Sequence, residues 1–149
     1  MTILNIVIRR LSSYTGEEII LGVFRSLEEA LTTKENYIRF LKLTGESYEQ
    51  QAYIETNLND EIYVQTVNAD VSEECGRVYC LISHCEAFGQ ICRAVKYISD
   101  DYEKIKKKAQ ELYLEELRKQ EPFPSEWLYT EIDLDILCYE NDDRVVDFT

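Results

Sequence analysis

Two stretches of this chain follow the same plan, and that repetition constrains the fold more than any other feature. VFRSLEEALTTKENYIRFL (23–41) and KYISDDYEKIKKKAQELYL (96–114) each run from a strand end through a polar cap into an amphipathic segment. In the first, Ser26 and Glu29 have the Ser-x-x-Glu spacing of a capping box. Leu27, Ala30, Leu31, Ile38 and Leu41 then recur at helical spacing, and Gly45 is placed to close the helix. In the second, Ser99 is the expected cap, and Asp100 and Asp101 complement the positive end of the helix. Tyr102, Ile105, Ala109, Leu112, Tyr113 and Leu117 form its apolar stripe, and Pro122 and Pro124 stop it. The lysine run at 104–108 falls between stripe positions and reads as a solvated face.

Aligning Ser26 with Ser99 brings the flanking segments into correspondence. NIVIRR (5–10) answers VYCLIS (78–83), and EEIILGVF (17–24) answers QICRAVKY (90–97), the strands being joined through SSYTG and CEAFG. After the helices, YIETNLNDEIYVQTV (53–67) answers WLYTEIDLDILCY (127–139). In the latter, Leu128, Thr130, Ile132, Leu134 and Ile136 alternate with Tyr129, Glu131, Asp133 and Asp135. That is the pattern of an antiparallel strand with one buried and one wet face. The expectation is an α+β fold of two tandem β-β-α-β pseudo-repeats, residues 1–74 and 75–149, with antiparallel sheets and two long helices packed on one face. A unit of ~70 residues is marginal alone, so the two should form one compact body.

The unit G-x-[FY]-x-S-x-E-E-A after a hairpin, carried here by Gly22, Phe24, Ser26, Glu28, Glu29 and Ala30, resembles small bacterial and phage domains of unknown function. The second copy keeps Tyr97 and Ser99 but lacks the glycine and the paired glutamates. The resemblance covers about a third of the chain. It implies a hairpin–helix–strand fold and a bacterial or phage setting, and no activity.

Charge narrows the partners. Asp and Glu total 29 against 16 Lys and Arg, a formal net charge of -13. Such a chain repels nucleic acid and anionic membrane surfaces, and it either stays soluble by that charge or attracts basic proteins. Residues 126–149 hold eight carboxylates against Arg144 alone, a net of -7. The expected partner-binding residues are Glu131, Asp133 and Asp135 as a row on one strand face, Asp142 and Asp143 beyond it, and Trp127, Tyr129 and Tyr139 as aromatic anchors. A solvated strand face is the alternative reading of the same residues.

Catalytic and metal signatures are not legible. P-loop, G-x-G-x-x-G, G-x-S-x-G and H-E-x-x-H patterns do not occur. The five cysteines (75, 80, 85, 92 and 138) and the single His84 have no C-x2-C knuckle, so buried reduced thiols are expected, with no cofactor and no metal. A Cys–His pair would need Cys92 opposite His84 on a partner strand. No apolar run approaches the ~20 residues of a membrane helix, and the N-terminus lacks a signal-peptide pattern, so the expectation is a cytoplasmic monomer or homodimer. The leading reading is a non-enzymatic acidic protein that binds and inhibits a basic, nucleic-acid-handling protein, as small phage inhibitors of nucleases and CRISPR effectors do. The alternatives are an immunity protein that neutralises a toxin, and a small-ligand module using the cleft between the repeats.

Overall fold

A computed structural model describes residues 2–10, 18–43, 61–138 and 140–148. The elements are β1 (Thr2–Arg10), β2 (Glu18–Phe24), α1 (Leu27–Leu43), β3 (Ile62–Ala69), β4 (Arg77–Ala87), β5 (Gln90–Ser99), α2 (Tyr102–Lys119), β6 (Glu126–Asp133) and β7 (Arg144–Val145). They build two antiparallel sheets, ordered β2-β1-β3 and β5-β4-β6-β7. Residues 53–60, expected to open the third strand, and Gly45, the expected helix stop, lie outside the described residues.

The central strands explain how the layers stack. β1 is apolar at consecutive positions, and Leu4, Ile6, Val7 and Ile8 are all buried. A strand buried on both faces needs cover on both. One face of β1 (Leu4, Ile6, Ile8) meets Val78, Cys80 and Ile82 of β4, with Ile98, Leu128 and Ile132 completing an inter-sheet core. The other face (Val7), with Leu21, Phe24 and Ile62, packs on Ala30, Tyr37 and Ile38 of α1. Leu81 of β4 and Trp127 of β6 pack likewise on Ile105 and Ala109 of α2. The order is therefore α1, first sheet, second sheet, α2. Each fully buried aliphatic side chain contributes ~1.5–3 kcal/mol, so the inter-sheet core is the main source of cohesion.

This layering corrects the expectation that both helices share one face: each covers the outer face of its own sheet. The reason is the second apolar face on β1 and β4, which a one-sided sheet would leave in water. It also divides the wet face assigned to β6: Glu131 and Asp133 are exposed as expected, but the Trp127 and Tyr129 end is covered. Trp127 is 4% exposed, and Tyr129 packs on Tyr102 of α2 at a centroid distance of 4.9 Å.

Helix ends follow local chemistry. Ser26 caps α1, its Oγ accepting from the Glu29 N–H at 3.2 Å. The cap of α2 is Asp101, which accepts from the Glu103 N–H at 3.0 Å; Ser99 does not cap it. Ser99 is buried instead, donating its hydroxyl to the Asp70 carbonyl at 3.1 Å and accepting from the Asp101 N–H at 3.1 Å. There a parallel bridge between Asp70 and Ser99 links the two sheets. α2 ends on Gln120 in the left-handed region, two residues before Pro122.

The second half also seals an edge of the first. After β6 the chain runs along β2, where Asp135 N–H donates to Val23 O (2.9 Å) and Cys138 N–H to Leu21 O (2.6 Å). Asn141 then pairs by its side chain with both backbone groups of Ile20, at 2.9 and 2.8 Å. Exposed sheet edges invite mispairing, and this segment covers one. It also explains Gly22: a Cβ there would meet the Phe24 ring at 2.5 Å and the Ile136 carbonyl at 3.2 Å.

Candidate functional site

The structure separates the eight expected binding residues into groups with different roles. Glu131 and Asp133 stand two apart on β6 and meet Arg77 of the neighbouring β4, which donates to Asp133 at 2.9 Å and to Glu131 at 3.1 Å. The register that pairs Arg77 with Asp133 and Tyr79 with Glu131 brings these groups together. The two carboxylates hold the guanidinium above its ordinary pKa, through the Asp133 hydrogen bond first. Asp142 comes alongside because β7 adds to β6, pairing Tyr129 with Arg144. Its side chain is 86% exposed and 3.7 Å from Arg144. Together Arg77, Glu131, Asp133, Asp142 and Arg144 line a surface groove of about 210 Å³.

Asp135 does not extend that row. β6 ends at Asp133, and Asp135 lies in the following turn at φ 63°, where the two-residue alternation no longer holds. Its carboxylate accepts from the Arg25 backbone N–H at 2.9 Å and from the Arg25 guanidinium at 2.5 Å. Arg25 also donates to the Cys75 carbonyl, so Asp135 is part of a clamp between the two halves. With Phe24, Ser26, Glu28 and Glu29 it lines a second, wider groove of about 580 Å³ at the start of α1. Carboxylates in that position complement the helix dipole.

Asp143 is also committed internally. It receives Nε and Nη2 of Arg93 at 3.0 and 2.8 Å, and the Arg93 side chain is 6% exposed. Arg93 further donates to Asn141 Oδ1 at 3.0 Å and to the Glu18 carbonyl. Trp127 is buried under α2, Tyr129 is half-buried beside Tyr79 and Tyr102, and Tyr139 lies outside the described residues. The open part of the expected surface is thus Glu131, Asp133 and Asp142. Arg77 and Arg144, which organise it, carried no local sequence signal.

The lysine run is more structured than a solvated face. Lys104 pairs with Asp70 at 2.9 Å, and Lys108 sits 5.8 Å over the Tyr97 ring. These residues, with Lys107 and Glu111, line a groove of about 330 Å³ whose charge is mixed.

His84 and the thiols do not assemble a nucleophile pair. His84 faces Arg93 across the ladder, and Cys92 faces Cys85; His84 Nε2 lies 3.2 Å from Glu86. All five cysteines are free, and of them only Cys80 is buried; Cys92 is exposed. The expectation of mostly buried thiols therefore fails: Cys75 and Cys138 sit in connections, and Cys85 and Cys92 pair near the tip of the β4–β5 hairpin. Among the described residues no three His, Cys, Asp or Glu side chains come together as metal ligands. No helix among them is long and apolar enough to cross a membrane. The chain matches no protein-family model, no curated protein and no solved structure.

Proposed function

We propose that this chain is a non-enzymatic, cytoplasmic binding protein that attaches to a basic, nucleic-acid-handling protein and blocks it. The observation that carries the reading is the groove of Glu131, Asp133 and Asp142 on a chain of net charge -13. Arg77 bridges the first two carboxylates, so they are fixed in position before a partner arrives, which lowers the ordering cost of binding. Arginine or lysine side chains of a partner would meet Asp142 and the oxygens of Glu131 and Asp133 that Arg77 does not hold, and the surrounding negative field speeds the encounter. A small-ligand module using the space between the two sheets has little room there. The cavity where the two sheets join, lined by Ile6, Val67, Val95 and Ile98 among others, holds about 110 Å³, below the roughly 300–1,000 Å³ of small-molecule sites.

The reading includes a duplication. Both halves have the order strand–strand–helix–strand, with the third strand beside the first. Both hairpins shift register at one place, between Val7 and Ile8 in one and between Leu81 and Ile82 in the other. The helix starts, Leu27 and Tyr102, are matched by the caps Ser26 and Asp101, a correspondence two residues away from the pairing of Ser26 with Ser99. The test of function is charge reversal at Glu131, Asp133 and Asp142 together. A triple lysine variant that folds yet inhibits the partner as well as wild type would remove this groove from the account.

A further inference from the structure

The β4–β5 hairpin sets two thiols face to face. Its turn is Phe88 and Gly89, both at positive φ (54° and 76°), the backbone of the tight turn whose twist suits a two-residue hairpin. Counting outward, Ala87 faces Gln90, Glu86 faces Ile91, and Cys85 faces Cys92. Opposed residues of an antiparallel ladder point to the same side, with Cα atoms about 4.5 or about 5.5 Å apart according to pair type. Both spacings fall within the roughly 4.4–6.8 Å between Cα atoms that a disulfide requires. Both thiols are free, Cys92 is exposed and Cys85 is half-buried. Cys75 and Cys138 lie outside the strand ladders, and Cys80, though within electrostatic reach of Cys138, is sealed in the inter-sheet core.

We propose that Cys85 and Cys92 form a reversible dithiol–disulfide site that exchanges with low-molecular-weight disulfides such as oxidised glutathione. The Cys92 thiolate attacks one sulfur of the glutathione disulfide, and the first glutathione leaves with the proton that Cys92 gave up. The Cys85 thiolate then attacks the Cys92 sulfur of the mixed disulfide, and the second glutathione leaves with the Cys85 proton. The protein loses two electrons and two protons, and glutathione disulfide gains both. Opposed Cβ atoms in a ladder sit about 4.5–5.5 Å apart, wider than the ~3.8 Å mean of relaxed disulfides. The bond therefore forms under strain and is readily reduced, as labile disulfides are. Its closure also removes the Cys85 S–H donor from the Phe123 carbonyl, 3.4 Å away. That carbonyl belongs to the connection between α2 and β6, where the Phe123 ring meets Phe88 edge-on at 5.2 Å.

The test incubates the full chain with excess oxidised glutathione, alkylates the remaining thiols, and maps disulfide-linked peptides by mass. Wild type should lose two hydrogen atoms, link Cys85 to Cys92, and revert with dithiothreitol. Cys85→Ser and Cys92→Ser should each retain one glutathione on the surviving partner. A lasting glutathione adduct on wild-type Cys92 without the link, a link to another cysteine, or no oxidation at all would overturn the proposal. The wild-type map decides even if a serine variant folds poorly.

Discussion

Removing the Asp143 carboxylate should show how strongly the tail of the chain holds Arg93, the side chain that also donates to the Glu18 carbonyl of the first half. Asp143→Ala deletes two charge-assisted contacts, at 3.0 and 2.8 Å, from an Arg93 side chain that is 6% exposed. Losing one partner of a buried ion pair costs about 3–5 kcal/mol, because the other charge is left uncompensated. Two features moderate this value: Asp143 is 27% exposed, and Arg93 keeps Asn141 and the Glu18 carbonyl. The expected loss is then about 3 kcal/mol, at the lower end of that range. In urea, with a slope of ~2 kcal/mol/M, the unfolding midpoint should fall by ~1.5 M at an unchanged slope. Arg93→Met removes the charge itself and should cost less. Added to Asp143→Ala it should recover part of the loss, with a coupling of about 1 kcal/mol or more. An unmoved midpoint for Asp143→Ala, or a double variant whose loss is the sum of the two single losses, would refute the clamp.

Gly22→Ala should destabilise the fold by about 1–3 kcal/mol through overpacking, because the added methyl meets the buried Phe24 ring and the Ile136 carbonyl; a wild-type melting temperature would contradict the close approach. Stability should also fall at alkaline pH. Burial raises the Cys80 thiol from 9.0 to about 12, and burial followed by the Glu18 hydrogen bond raises the Tyr63 hydroxyl from 10.0 to about 12. Both folded values lie above the unfolded ones, so this contribution is complete below pH 9 and lost as the pH rises toward 12. Urea midpoints measured across that window should decline, and Tyr63→Phe should flatten the upper part; a level profile would oppose both assignments.

The order of elements was legible because each carried its own local signal. The Ser26–Glu29 capping box, the helical spacing of Ile105 and Ala109, and the alternation along β6 are read within a few residues. The stacking of layers was harder to read. β1 and β4 bury consecutive residues, which signals cover on both faces, but Tyr129 and Glu131 made the outer face of β6 look wet. A tyrosine can lie under a helix while its neighbour two residues on reaches water, so parity alone did not separate them. Asp135 fell out of the row because its turn adopts positive φ, which no period-two count anticipates. The arginine clamps of Arg25, Arg77 and Arg93 join residues more than 45 positions apart and leave no local trace. The opposition of Cys85 and Cys92 was within reach, since a turn at Phe88-Gly89 fixes every pair behind it.

The central claim is that the groove of Glu131, Asp133 and Asp142 binds a basic protein. The most direct measurement is the association rate with a basic, nucleic-acid-handling protein that the wild-type chain binds, at rising ionic strength, for wild type and for the triple lysine variant. Screening shortens from ~10 Å at 0.1 M salt to ~3 Å at 1 M, so the wild-type rate should fall steeply over that range. The variant should start at least about tenfold lower and change less with salt than wild type. Equal rates and equal salt slopes for the two proteins would contradict the claim.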